Sequence, residues 1–178
     1  MSRRAVFLDR DGVLNRVIVR TGRPYPPESL TEFEILPDAE DLLRRLKNLG
    51  FLLLVVTNQP DVGRGRQSRE RIEQMHAVLK ARLPLDAIFV CYHSNEDDCQ
   101  CRKPKPGMLL QAAVAYELDL PSCFMIGDRW RDADAGRAAG CKVIFIDYGY
   151  QERQPAEAPD ARVRSLSEAV SWISAPLP

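Results

Sequence analysis

Short apolar runs alternate with amphipathic helical stripes along most of the 178-residue chain. The runs are Ala5 to Asp9, Phe51 to Thr57, Ala87 to Cys91, Cys123 to Gly127 and Val143 to Asp147. They are too short for helices and almost uninterrupted by polar residues, the pattern of strands buried on both faces of a sheet. Between them, Leu42, Leu43, Leu46 and Leu49 form one helical stripe, with Asp38 as its N-cap and Gly50 just past its end. Ser68 is placed to cap a second helix carrying Ile72, Met75, Leu79 and Leu83, and the stretches 108–118 and 131–139 supply two more. Leu166, Ala169, Val170 and Ile173 predict a last helix starting near Ser167. Such alternation argues an α/β fold, a parallel sheet with helices on both faces. No repeat or linker divides the sequence, so a single domain over residues 1–178 is expected, with Pro24 to Pro27 and Pro155 to Pro159 as surface loops.

In such a sheet the carboxyl ends of the strands bind ligands. The first run delivers Asp9-Arg10-Asp11-Gly12 there. Two carboxylates so close repel one another unless a cation or a shared proton intervenes, so the pair reads as a divalent-metal site or an acid–base pair, against the plainer alternative of solvated loop acids. The second run brings Thr57, Asn58 and Gln59 to the same edge, followed by Pro60-Asp61-Val62-Gly63-Arg64-Gly65-Arg66, a loop whose glycines permit close backbone approach and whose arginines bind anions. The fourth run ends in Gly127-Asp128, and Asp128 is placed to complete a metal site with Asp9. Asp132 either orients the waters of such a metal or sits in the favourable first turn of a helix.

The third run leads into Cys91-Tyr92-His93 and on to Cys99-Gln100-Cys101 through a polar stretch that makes a poor core. Three thiols and an imidazole within one loop (residues 91–101) match a tetrahedral Cys₃His zinc site, closed and therefore structural. The remaining two of the five cysteines, Cys123 and Cys141, read as small core residues, and His76 as a packed or solvated side chain without an evident partner. Directly after the last thiol, Arg102 and Lys103 aim two cations at the same edge.

Twenty-five basic residues balance twenty-five acidic ones, which leaves no global field to recruit nucleic acid or an anionic membrane. The Met1-Ser2-Arg3-Arg4 start lacks a signal-type apolar region behind it, and the run from Phe51 to Val56 is too short to span a bilayer. The sequence therefore predicts a cytoplasmic, monomeric protein whose partner is a small molecule.

In order, Asp9-Arg10-Asp11-Gly12, Thr57-Asn58-Gln59, Lys103 and Gly127-Asp128 resemble the four motifs of the haloacid dehalogenase superfamily of phosphatases. With Cys91, His93, Cys99, Cys101 and the Cys101-Arg102-Lys103-Pro104 junction, the chain is similar to the zinc-containing branch of that superfamily, which acts on heptose bisphosphates and histidinol phosphate. The resemblance implies a doubly wound, Rossmann-like parallel sheet without a large cap and with a zinc loop at the substrate entrance. It also implies Mg²⁺ and Zn²⁺ as cofactors, with Mg²⁺ held by the carboxylates of Asp9 and Asp128 and the backbone carbonyl of Asp11. By the same resemblance Asp9 is the nucleophile, giving an aspartyl-phosphate, and Asp11 the acid and base. Thr57 and Lys103 hold the transferring phosphoryl group, Asn58 and Gln59 line the pocket, and Arg102, Arg129, Arg64 and Arg66 contact the rest of the substrate. The arginine loop around Gly65 favours a heptose 1,7-bisphosphate losing its 7-phosphate, with histidinol phosphate or another sugar phosphate as alternatives. Pro60-Asp61 departs from the serine and glycine usual after Thr-Asn-Gln.

Overall fold

A computed structural model describes residues 3–175 of the chain. Met1 and Ser2, at the head of the basic start, lie outside the described residues. Six parallel strands make the main sheet. They are β1 (Ala5–Leu8), β4 (Leu52–Asn58), β5 (Ala87–Cys91), β6 (Phe124–Gly127), β7 (Lys142–Ile146) and β8 (Ala161–Val163), arranged in the order β5-β4-β1-β6-β7-β8. β2 (Ile18–Arg20) and β3 (Arg23–Tyr25) form a separate antiparallel hairpin. The helices are α1 (Ala39–Asn48), α2 (Pro60–Gly63), α3 (Arg69–Arg82), α4 (Gly107–Tyr116), α5 (Trp130–Ala139) and α6 (Leu166–Ser174).

Alternate residues of each strand face opposite sides, so β1 sends Val6 and Leu8 into one core and Ala5 and Phe7 into the other. The first core packs against α1, α3 and α6 through Leu43, Leu46, Leu79 and Val170. The second packs against α4 and α5 through Met108, Leu109, Ala112 and Ala135, and holds the buried Cys123 and Cys141. Covering both faces is what requires the strands to be apolar throughout. The expected Rossmann-like sheet is thus present, without a large cap, and each expected strand and helix lies within a few residues of its sequence assignment.

Three local details differ. Pro24 is in strand β3 of the hairpin rather than a loop, tolerated because a two-stranded ribbon leaves edges where a missing N–H does no harm. The expected loop after Gln59 begins as the short helix α2, which proline at its first turn favours. Asp38 precedes α1, but its side chain makes no capping hydrogen bond, whereas Ser68 Oγ accepts from Arg71 N at 3.2 Å and caps α3 as expected.

The strand order reverses at β1, where the chain runs to β4 and β5 on one side and to β6, β7 and β8 on the other. The carboxyl ends of β1, β4 and β6 therefore border a crevice at a topological switch point. Among the described residues no helix is long and apolar enough to cross a membrane.

Candidate active site

Asp9 leaves the end of β1, Asp128 follows β6, and Asp132 occupies the first turn of α5. Each offers a carboxylate oxygen within 4.8 Å of the others, and all three are buried. Lys103, which is 2% exposed, places its Nζ among them. It donates to Asp9 Oδ1 at 2.9 Å and to Val56 O at 2.7 Å, and lies 2.6 Å from Asp132 Oδ1. Burial alone would push this ammonium down, but Asp132 and Asp9 outweigh it and raise its pKa to about 12. Burial and the nearby Asp132 push Asp9 up to about 7 against the pull of Lys103, and burial with Asp9 and Asp132 raises Asp128 well above the carboxylate range.

Three carboxylates against one ammonium carry surplus negative charge. Among the described residues, both oxygens of Asp128 are buried without a hydrogen-bond partner. The cluster thus fits a hard divalent cation, which would supply the missing partner and neutralise the excess. Space around it is tight. A Cβ on Gly12, whose φ is +85°, would lie 1.9 Å from Asp128 Oδ2, and one on Gly127 would lie 2.1 Å from Asp132 Cβ. Asp132 also accepts from Arg129 N at 3.0 Å, so one carboxylate both caps α5 and holds Lys103.

Asp11 lies apart from this group. Its carboxylate accepts from Arg10 Nη2 at 2.7 and 2.9 Å, from Arg10 Nε at 3.1 Å, from Asn15 Nδ2 at 3.0 Å and from Gln59 Nε2 at 2.9 Å. Burial tends to raise its pKa, but Arg10 and these donors hold it below the usual value. Gln59 Nε2 donates to Thr57 Oγ1 as well, at 2.9 Å, which links two of the expected site residues. Asn58 lines the cleft, as expected, and has a second task. Its Nδ2 donates to Lys103 O at 3.0 Å and its Oδ1 accepts from Lys103 N at 3.1 Å, so it brackets the backbone that carries the lysine.

Cys91, His93, Cys99 and Cys101 come together as their spacing predicts. Cys91 Sγ lies 3.6 Å from Cys99 Sγ and 2.9 Å from Cys101 Sγ, and His93 Nδ1 lies 3.2 Å from Cys101 Sγ. Sulfurs at about 2.3 Å from a tetrahedral zinc would stand about 3.8 Å apart, so a slight expansion fits the ion. Gly63 packs against this loop, where a Cβ would meet Tyr92 O at 2.6 Å. The close approach expected of that glycine is therefore to the cysteine loop. Arg102 extends from the same loop, its Nε donating to Asn95 Oδ1 at 2.9 Å.

Asp9, Asp11, Asp128 and Asp132 open into a cleft of about 1090 Å³ whose walls carry Arg64, Arg66, Arg102 and Arg129 together with Arg20, Arg23, Arg131 and Arg153. Arg129 pairs with Glu152, and Arg64 lies 3.5 Å from Asp61, so neither is a free cation. The hairpin forms one wall and is tied to the segment after β7, where Gln151 N donates to Gly22 O at 2.8 Å. Sequence reading missed the hairpin because two three-residue strands leave no periodic signal.

A family model for HAD-hydrolase-like proteins matches residues 100–169. Over 178 residues the chain is 35% identical to D-glycero-beta-D-manno-heptose-1,7-bisphosphate 7-phosphatase of Helicobacter pylori, covering 96% of this chain and 97% of that one. The chain belongs to this family of HAD-like phosphatases. The Pasteurella multocida phosphatase of the same name is 37% identical over 155 residues, 81% of each chain. A crystal structure of D,D-heptose 1,7-bisphosphate phosphatase from B. bronchiseptica, complexed with magnesium and phosphate, matches with a TM-score of 0.76 at 27% identity, covering 96% of this chain and 97% of that chain. In this HAD-like phosphatase, then, the cleft at the switch point is the place where phosphoester chemistry is to be sought.

Proposed function

We propose that the protein removes the 7-phosphate from D-glycero-D-manno-heptose 1,7-bisphosphate. The observation that carries this reading is the cleft itself: buried carboxylates and a lysine form its floor, while its rim holds more arginines than one reacting phosphate needs. The names of the relatives point to the same substrate. Its role would be in assembling the heptose-containing part of lipopolysaccharide, and the unpaired thiols agree with a cytoplasmic setting.

Asp9 is the nucleophile in this reading. Lys103 Nζ and Arg10 N both donate to its Oδ1, which leaves Oδ2 as the oxygen that attacks phosphorus. As that bond forms, the bond from phosphorus to the sugar oxygen breaks, and Asp11 protonates the departing alkoxide. A water then attacks the aspartyl-phosphate, Asp11 takes its proton, and the bond between phosphorus and Asp9 breaks to release phosphate. Arg10 keeps Asp11 ionised in the free protein, so the proton it delivers arrives with substrate or solvent, and the charge of the incoming phosphate favours its uptake. Mg²⁺, held by the carboxylates of Asp9 and Asp128 and the backbone carbonyl of Asp11, would offset the repulsion between nucleophile and phosphate.

Lys103 and Thr57 steady the transferring phosphoryl group, Gln59 orients Asp11, and Asn58 orients Lys103. Arg102, Arg129, Arg64 and Arg66 serve the far end of the substrate, with Arg129 steered by Glu152. Cys91, His93, Cys99 and Cys101 would hold Zn²⁺ as a structural ion, which would fix the backbone that leads into Arg102 and Lys103. In the same reading the chain, residues 1–178, is a single phosphatase domain, since no linker divides its sequence.

The test is phosphate release from heptose 1,7-bisphosphate, histidinol phosphate and simple sugar monophosphates, with the product's remaining phosphate located by phosphorus NMR. The bisphosphate should give the highest kcat/KM and a 1-phosphate product, and Asp9→Asn should abolish turnover of every substrate. A wide preference for histidinol phosphate would overturn the substrate, and substantial turnover by folded Asp9→Asn would overturn the mechanism.

A further inference from the structure

Arg10 is 0% exposed, a guanidinium placed entirely inside the protein. Its Nε and Nη2 go to Asp11. Its Nη1 has one hydrogen-bond partner among the described residues, His76 Nε2 at 3.4 Å. A guanidinium can only donate, so Nε2 must accept and the ring proton sits on Nδ1. That nitrogen lies 3.9 Å from Glu73 Oε2, and Glu73 in turn accepts from the Tyr92 hydroxyl, between Cys91 and His93. His76 belongs to the apolar stripe of α3, with Ile72, Met75 and Leu79, which explains why its sequence position suggested ordinary packing.

We propose that His76 is a positioning residue for the hydrolysis: through the buried Arg10 it holds the Asp11 carboxylate where Asp11 exchanges its proton with the substrate. The inference rests on the acid–base role given to Asp11 above. A buried N–H without an acceptor is costly, so a guanidinium deprived of His76 turns to seek another partner. Because Arg10 makes three of the five hydrogen bonds to Asp11, the carboxylate moves with it. A proton donor displaced by a fraction of its hydrogen-bond length loses much of its catalytic value.

The experiment compares kcat/KM of the full-length protein, loaded with magnesium, for a sugar phosphate and for p-nitrophenyl phosphate, whose leaving group needs little protonation. His76→Leu removes the acceptor, His76→Asn withdraws it from Arg10, and His76→Gln keeps it within reach. The Leu and Asn variants should lose about tenfold on the sugar phosphate and less than about twofold on the aryl ester, and the Gln variant should recover most of the difference. Equal losses on both esters, or none, in variants that melt as the wild type does would overturn the proposal. Should His76→Leu fail to fold, equal rates for the Asn and Gln variants would overturn it. Asp11→Asn is measured beside them. If it shows no dependence on the leaving group, the acid–base reading falls and the proposal with it; if it does and the His76 variants do not, the proposal alone falls.

Discussion

Replacing Lys103 by methionine removes the one ammonium among Asp9, Asp128 and Asp132 while nearly conserving volume. The structure sets the size of the effect. Asp9, Asp132 and Val56 O each lose a charged donor at 2.6 to 2.9 Å, in a site where the lysine is 2% exposed. Breaking a buried ion pair from one side costs about 3 to 5 kcal/mol. At pH 7 a proton can replace the ammonium, because Asp9 is already raised to about 7 with the lysine present, so the lower end of that range, about 3 kcal/mol, is expected.

Raising the pH removes that relief. In the variant the folded state binds a proton that the unfolded carboxylate releases near its ordinary pKa, so stability falls by up to about 1.4 kcal/mol per pH unit until the folded pKa is passed. The wild type shares part of this slope through Asp9 and Asp128, but its Asp9 passes its folded pKa near 7, whereas in the variant, without the ammonium, that pKa lies higher. Lys103 itself, raised from 10.5 to about 12, contributes its full stabilisation below 10.5 and loses it only as pH rises through about 12. The deficit of Lys103→Met should therefore widen between pH 7 and pH 9. Urea unfolding without added magnesium, at both pH values, measures it, and added magnesium should narrow the deficit by binding the more negative folded site. A deficit below about 1 kcal/mol that ignores both pH and magnesium would refute the electrostatic account of the cluster.

Three further predictions concern other parts of the molecule. Purified protein should contain about one equivalent of zinc, and Cys99→Ser should lower zinc content, melting temperature and activity together, since closing the loop is coupled to binding; full stability in zinc-free protein would contradict this. Gly127→Ala should cost about 1 to 3 kcal/mol and most of the activity, because its Cβ would meet Asp132 at 2.1 Å and push that carboxylate off Lys103; retained activity would show that the β6 end yields easily. Burial and the Arg10 charge hold His76 down at about 4, so the stability it confers is complete above pH 6.5 and is lost as pH falls toward 4. Between pH 7 and pH 5 the wild type should therefore lose about 2 kcal/mol more than His76→Gln, as read from urea midpoints; parallel losses would place the ring's titration elsewhere.

The amino-acid sequence by itself determined the kind of sheet, the strand ends that carry chemistry and the two clusters of ligands. These were legible because they depend on local rules: an apolar run such as Val6-Phe7-Leu8 needs cover on both faces, and Cys91, His93, Cys99 and Cys101 are near enough in the chain to meet around one centre. Tertiary structure decided the partnerships between distant residues. Asn58 brackets the backbone of Lys103 across 45 positions, and Arg10 finds His76 across 66. The Asp11 side chain takes Arg10, Asn15 and Gln59 as its partners rather than joining the Asp9, Asp128 and Asp132 group, although it stands two residues from Asp9. Only packing settles such choices, because a buried polar group must take whatever partner the fold brings within reach, and strand order, which sets that reach, is not a local property.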